Sequence, residues 1–258
     1  MVYEMFPGSD SHKIIGCILS RLSGNVFGES ELELFRKTFS ELKQRYLSNL
    51  DRPEAHLSLG ILAENQNKPE DAERHYREAI ARESTFVPAR MNLATLLSRL
   101  GRNGDAEKLL REAVRLQPSW GQAHYSLGLL IAEDRRRLPE AIRSLERAAE
   151  HWTDNPRIPY NLGIAYWQRA DRAKTLERPE SKILYDQAIK ALMQAIGMQP
   201  GNPEFVQSLV QLSAERMRYH AQREEWREAL PHARRLMGLV PDDPQLRAFI
   251  SQIEQLAQ

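Results

Sequence analysis

The pair Leu59-Gly60 returns in this chain as Leu93-Ala94, Leu127-Gly128 and Leu162-Gly163, with the leucines 34, 34 and 35 residues apart. Two alanine series keep the same step. Ala72, Ala106 and Ala141 are spaced 34 and 35, and so are Ala79, Ala113 and Ala148. Three markers that share one period of a few tens of residues define a stacked array of supersecondary units, in which no unit can bury its apolar face alone.

The recurring residue types say what each unit is. Gly60, Gly128 and Gly163 fall inside apolar helical patterns, where glycine costs about 1 kcal/mol relative to alanine, so a partner helix is expected to cross closely there. Ala72 and Ala79 lie seven residues apart, two helical turns along one face, with Tyr76 between them as the large filler. Ala106, Leu110 and Ala113 repeat the arrangement, as do Ala141, Leu145 and Ala148. Pro118, Pro200 and Pro241 close the second helices, because proline removes a backbone donor and clashes with the preceding turn. Asn67-Lys68-Pro69 and Gly101-Arg102-Asn103-Gly104 supply the breaks between helices. The prediction is an all-α chain of antiparallel helix pairs.

These markers resemble the tetratricopeptide repeat, a 34-residue unit built on Leu-Gly, aromatic, alanine and proline positions, over about residues 53–241. The resemblance implies a right-handed superhelical solenoid whose role is to bind another protein. Two runs, Asp51 to Gly60 and Phe86 to Ala94, are most similar to tetratricopeptide modules of bacterial multihaem cytochromes, which implies an accessory role in an enzyme or electron-transfer system as an alternative. The expected organisation is an N-terminal divergent repeat or cap over 1–52 and five units at 53–86, 87–120, 121–155, 156–202 and 203–241. A C-terminal capping helix over 242–258 follows, with Leu246, Phe249, Ile250, Ile253 and Leu256 at helical spacing. Within 1–52, Ser11–Leu22 and Glu29–Leu50 read as helices.

The fourth unit is stretched. Leu162 to Leu209 and Ala141 to Ala188 are both 47 residues. The added residues lie around Gln168–Lys182 and carry Arg169, Asp171, Arg172, Lys174, Glu177 and Arg178, which reads as an extended helix and a long solvated turn projecting from the array. The fifth unit departs from the pattern, with Leu209-Val210 in place of Leu-Gly.

In tetratricopeptide arrays the first helix of each pair lines the concave surface. The resemblance therefore implies a partner-binding groove of Leu57, Ser58, Ile61, Met91, Asn92, Thr95, Tyr125, Ser126, Leu129, Tyr160, Asn161, Ile164 and Trp167. Apolar and aromatic residues alternate there with small hydrogen-bonding ones, which suits an extended peptide: amides pair with its backbone and apolar pockets take its side chains. Leu57, Met91, Tyr125 and Tyr160 would equally serve packing between neighbouring first helices. A carboxylate clamp for a chaperone tail is not expected. Of its positions only Asn92 fits, the others being Leu57, Ile61, Gln122 and Ser126, so the charge-assisted bonds that hold a carboxylate are missing.

The charges balance at 36 basic against 35 acidic residues, which gives no broad electrostatic footprint for nucleic acid or an anionic membrane. The Arg135-Arg136-Arg137 run stands beside Glu133 and Asp134 and reads as a solvated turn. Cys17 is the one cysteine, in an apolar run where an inert buried thiol is expected. The seven histidines show no metal-ligand spacing; His56 and His124 share one slot of the repeat, where packing is the simpler account. Phosphate-loop, nucleophile-elbow and Cys-x-x-Cys-His motifs are absent. The sequence thus predicts no enzyme, no cofactor and no metal. With no secretory or membrane-spanning run it predicts a cytoplasmic protein.

Overall fold

The computed structural model describes residues 52–176 and 178–256 and, of the first 51, only Lys37, which is helical. The rest of the helices expected at Ser11–Leu22 and Glu29–Leu50, and Cys17, lie outside the described residues. Those residues form eleven α-helices and no strand. They are α1 (Pro53–Asn65), α2 (Pro69–Arg82), α3 (Val87–Arg99), α4 (Asn103–Leu116), α5 (Gly121–Ala132), α6 (Leu138–His151), α7 (Arg157–Thr175), α8 (Ser181–Met198), α9 (Pro203–Ala221), α10 (Trp226–Leu239) and α11 (Pro244–Leu256). A short 3₁₀ turn, Arg135–Arg137, precedes α6. No helix among the described residues is long and apolar enough to cross a membrane. The chain forms two compact units, Met1–Arg102 and Asn103–Gln258.

In the first unit α1 packs on α2; in the second, α5 on α6, α7 on α8 and α9 on α10. The alanine-flanked stripe is the buried face of the second helices. Ala72, Tyr76 and Ala79 are at most 1% exposed. Ala141, Leu145 and Ala148 are buried to the same degree, and Ala188, Leu192 and Ala195 are fully buried. The glycines of the first helices are where these stripes press. A Cβ on Gly60 would lie 2.4 Å from Cε1 of Tyr76. On Gly163 it would lie 2.9 Å from Cγ of Leu192 and 3.2 Å from the Ala188 carbonyl oxygen.

Three turns between successive helices share one device. Asn67, Gly101 and Glu224 take positive φ, and the next residue's N–H reaches back five positions. Lys68 donates to Ala63 at 2.9 Å, Arg102 to Leu97 at 2.8 Å and Glu225 to His220 at 3.0 Å. This left-handed cap satisfies carbonyls that a helix end would otherwise leave unpaired. The next first helices begin on fresh signals: Asn202 Oδ1 accepts from the N–H groups of Glu204 and Phe205, and Pro203 opens α9.

The stretched unit has the expected extended helix, and its turn is shorter than expected because α8 resumes at Ser181. The added residues lengthen both helices, α7 to 19 residues and α8 to 18. Their facing sides are buried at Ala170, Ala173, Leu184 and Tyr185. The Tyr185 hydroxyl donates to Asp171 at 2.6 Å, and burial raises the phenol well above its ordinary range. The structure supplies the reason: added helical turns can carry their own small-residue contact face, so the extension packs.

Arg137 leaves the basic run to join an ion network in the second unit. It reaches Glu107 at 2.6 Å and Glu140 at 2.8 Å, and Arg111 reaches both carboxylates at 2.6 Å. Arg102 and Glu73 make the equivalent pair at 2.8 Å in the first unit. Hydrogen bonds from Arg137, and then Arg111, hold the Glu107 carboxyl down at about 2.

Two measurements test this account. Gly163→Ala gains helix propensity but meets Leu192 and a backbone oxygen, so urea denaturation should show a net loss of about 1 kcal/mol. Gly197→Ala, with nothing within 4 Å of the new Cβ, should gain about 0.5–1 kcal/mol. Because folding depresses the Glu107 pKa, its contribution is complete above the ordinary carboxylate value of 4.5 and fades as pH falls towards about 2. Glu107→Gln should flatten the pH–stability profile in that window by about 1–2 kcal/mol, a figure reduced for solvent screening.

Candidate functional site

The thirteen residues implied for a groove fall in both units. In the first, Met91 is buried, Leu57, Ser58 and Asn92 are half-buried, and Ile61 and Thr95 are exposed. Hydroxyls there are spent on their own helices: Ser58 donates to the Glu54 carbonyl at 2.9 Å and Thr95 to that of Met91 at 3.0 Å. The Tyr76 hydroxyl donates to Glu64 at 2.9 Å. Met91 thus serves the packing of the first unit, and Ile61 and Thr95 face solvent.

The second unit brings its candidates together. Tyr125, Ser126, Tyr160, Asn161, Ile164 and Trp167 are all half-buried, and Leu129 is 38% exposed. Asn161 Nδ2 donates to the Tyr125 hydroxyl at 2.8 Å, joining α7 to α5. Its carbonyl oxygen and second N–H are left for another partner. Burial raises the Tyr125 phenol above its ordinary range. Tyr125 also meets Trp152 edge-on at 5.8 Å. Tyr160 stacks on Phe205 of α9 at 4.7 Å, and its hydroxyl lies 3.3 Å from Ser208 Oγ. Arg157 stands over both rings, 5.9 Å from Tyr160 and 5.5 Å from Phe205, and is paired to Glu204 at 2.6 Å. The indole Nε1–H of Trp167 is buried with no acceptor among the described residues.

The result is a ribbon of aromatic and amide side chains across the first helices α5, α7 and α9, resting on the core and open on one side. Leu138, Tyr166, Leu192 and Leu209 belong to that core, and Tyr125, Tyr160, Ile164 and Trp167 pack against it. Ser208 and Arg157 are members that reading the repeats alone did not include, and the buried Phe205 of α9 and Trp152 after α6 support the ribbon. One of them had a signal: shifting Asn161 by the 47-residue step of the stretched unit lands on Ser208.

Among the described residues His56, His124, His220 and His232 are buried. His124 Nε2 lies 2.8 Å from the Pro118 carbonyl and its ring stacks on His151, while His56 and His75 approach at 3.3 Å. Burial first, and the charge of Arg235 next, lower the His232 imidazole to about 4.

A family model of the tetratricopeptide repeat matches residues 57–119 and 91–156, a segment that holds α1 to α6 apart from the first residues of α1. No curated protein matches the chain. Among solved structures, MamA is similar over 74% of this chain and 92% of its own, at TM-score 0.56 and 20% identity. YrrB, described as a TPR protein with an unusual peptide-binding site, is similar over 81% and 97%, at TM-score 0.56 and 16% identity. PilF of Pseudomonas aeruginosa is similar over 85% and 92%, at TM-score 0.52 and 17% identity. The fold is that of tetratricopeptide solenoid proteins.

The Asn161–Tyr125 bond can be measured by a double-mutant cycle. Asn161→Ala and Tyr125→Phe should couple by about 0.5–1.5 kcal/mol in unfolding free energy, the value of one net hydrogen bond. Additive single effects would mean that the two side chains do not hold each other.

Proposed function

We propose that this chain is a non-catalytic binding protein that takes an extended segment of a partner protein along the α5–α7–α9 face of its second unit. The observation that carries the reading is on α7, where Trp167 holds a buried indole donor without an acceptor and Asn161, nearer the helix start, a half-used amide. A buried N–H left unpaired is costly, and a turn of the half-buried indole that brings it to a peptide carbonyl would satisfy it. Tyr160 and Leu129 offer apolar surface on either side, and aromatic anchors of this kind dominate binding energy at protein interfaces. Tetratricopeptide proteins generally mediate protein–protein interaction, and the peptide-binding site described for YrrB makes an extended peptide the natural occupant. Ile61 and Thr95 would form a separate, smaller contact in the first unit.

A second reading, an accessory module of an enzyme or of a multihaem electron-transfer system, rests on the runs Asp51 to Gly60 and Phe86 to Ala94. It changes who the partner is and leaves the binding face the same.

Peptides selected from a random library on the intact chain should bind the Leu129→Glu/Asn161→Ala variant at least about tenfold more weakly, by the scale on which 1.4 kcal/mol is a factor of ten. Its far-ultraviolet circular dichroism should be unchanged, since Leu129 is exposed and Asn161 half-buried. Equal affinity for both proteins would remove the α5–α7–α9 face as the site.

A further inference from the structure

Two irregular stretches of the sequence, the Arg135-Arg136-Arg137 turn and the extension of α7, meet in space. Between them is a cavity of about 200 Å³ lined by Arg135, Arg136, Arg169, Arg172 and Arg178, with Glu180 the one acidic residue on its wall. Arg172 fixes the two stretches to each other by donating from Nη1 to the Arg135 carbonyl at 3.1 Å. Two of the five guanidinium groups have carboxylate partners: Arg136 is paired with Asp134 at 3.0 Å, and Arg178 lies 3.9 Å from Glu180. Arg135, Arg169 and Arg172 have no carboxylate partner among the described residues. In the same unit Arg111 and Arg137 are matched by Glu107 and Glu140. Three unmatched cations around one small cavity repel each other, at a cost that grows as the surroundings dry. Arg135 and Arg172 are exposed and Arg169 half-buried, so water and salt screen part of that cost; a bound anion would offset the rest without moving the helices.

The cavity's chemistry narrows the anion. All five cations are arginine, whose planar fork matches two oxygens of a phosphate at once, where lysine offers a single point charge. Leu138, Pro139 and Leu176 give the same cavity an apolar wall. Its volume is below the roughly 300–1,000 Å³ of pockets that take drug-sized ligands, so it takes a side-chain-sized group and not a whole nucleotide. We propose that this pocket binds a phosphate-monoester dianion carried on an apolar or aromatic group, as on a phosphorylated side chain of a protein partner. The site is separate from the α5–α7–α9 face and does not depend on it.

The test is calorimetric titration of the intact chain with phenyl phosphate at low ionic strength, where surface electrostatics are least screened. Saturable binding of one phenyl phosphate per chain is expected. Arg169→Gln and Arg135→Gln should each weaken it at least about fivefold, as the loss of one charge-assisted hydrogen bond predicts. Arg143→Gln, an exposed position of α6 away from the pocket, should change it less than about twofold by the weak worth of an isolated surface charge. Circular dichroism of each variant controls for folding, and the two pocket positions back each other should one variant fail to fold. Non-saturable binding, or equal losses from Arg143→Gln and the pocket variants, would overturn the site. Arg169-dependent attachment to phosphoinositide-bearing phosphatidylcholine vesicles, with no measurable phenyl phosphate binding, would overturn the protein side chain as its occupant.

Discussion

Three helix pairs of this chain close on one contact, in which a glycine of the first helix faces the large residue that two alanines flank on the second. Gly60 meets Tyr76, Gly128 meets Leu145 and Gly163 meets Leu192, each so close that an added Cβ would fall within 3 Å of the facing side chain. Close packing of this sort leaves no room for relaxation, which is why protein interiors feel a single methyl group. The contact also fixes the rotation of the first helix about its axis. With Gly163 turned into the pair, Tyr160 and Ile164 necessarily lie to one side of it and Asn161 on the far side, and all three are half-buried. The candidate binding face is therefore a consequence of the crossing, since the geometry that buries the glycine decides which residues of α7 stay accessible.

Much of this was legible in the sequence because the constraint is local and repeated. Ala72, Tyr76 and Ala79 announce a contact stripe by spacing alone, and Asn67 and Gly101 announce the left-handed caps, since few other residues tolerate positive φ. Glu224, which takes the same conformation, announces nothing by its type; only the backbone bond from Glu225 to His220 shows that the cap recurs. Within the binding face, Tyr125, Tyr160 and Asn161 followed from register. Their mutual engagement did not. Whether Asn161 spends its amide on Tyr125 or offers it to a partner depends on distances between helices, which period and composition leave open. Met91 is the clearest instance, occupying the same register as Tyr125 and yet buried at 8% exposure.

The basic pocket lies beyond sequence reading for a different reason. Arg135 and Arg169 are 34 residues apart, and each stretch read alone is a charged surface segment beside its own acids. Pairing within a segment is the sensible expectation, and it holds for Arg136 with Asp134. Arg137 divides itself between Glu140 nearby and Glu107 on another helix, and Arg172 goes to a backbone carbonyl. Charge balance over the whole chain says nothing about such local surpluses, because the acids that would neutralise them are engaged elsewhere.

The stretched unit connects these observations. Its helices run to 19 and 18 residues where the preceding pair has 12 and 14, so most of the added length is shared between the two arms. An antiparallel pair can grow in this way only by whole helical turns if its contact face is to continue, and seven residues on α7 are close to two turns. That is why Tyr166 is followed by Ala173 on the buried side, with Ala170 between them. The longer arm then passes the point at which the preceding pair turns back. Its outward residues, Arg169 and Arg172, stand against the Arg135–Arg137 turn, a juxtaposition that two pairs of equal length would lack. One helix thus carries the aromatic–amide face near its start and the wall of an arginine pocket near its end. Lengthening a single repeat has given the second unit a feature that the periodic part of the array does not have.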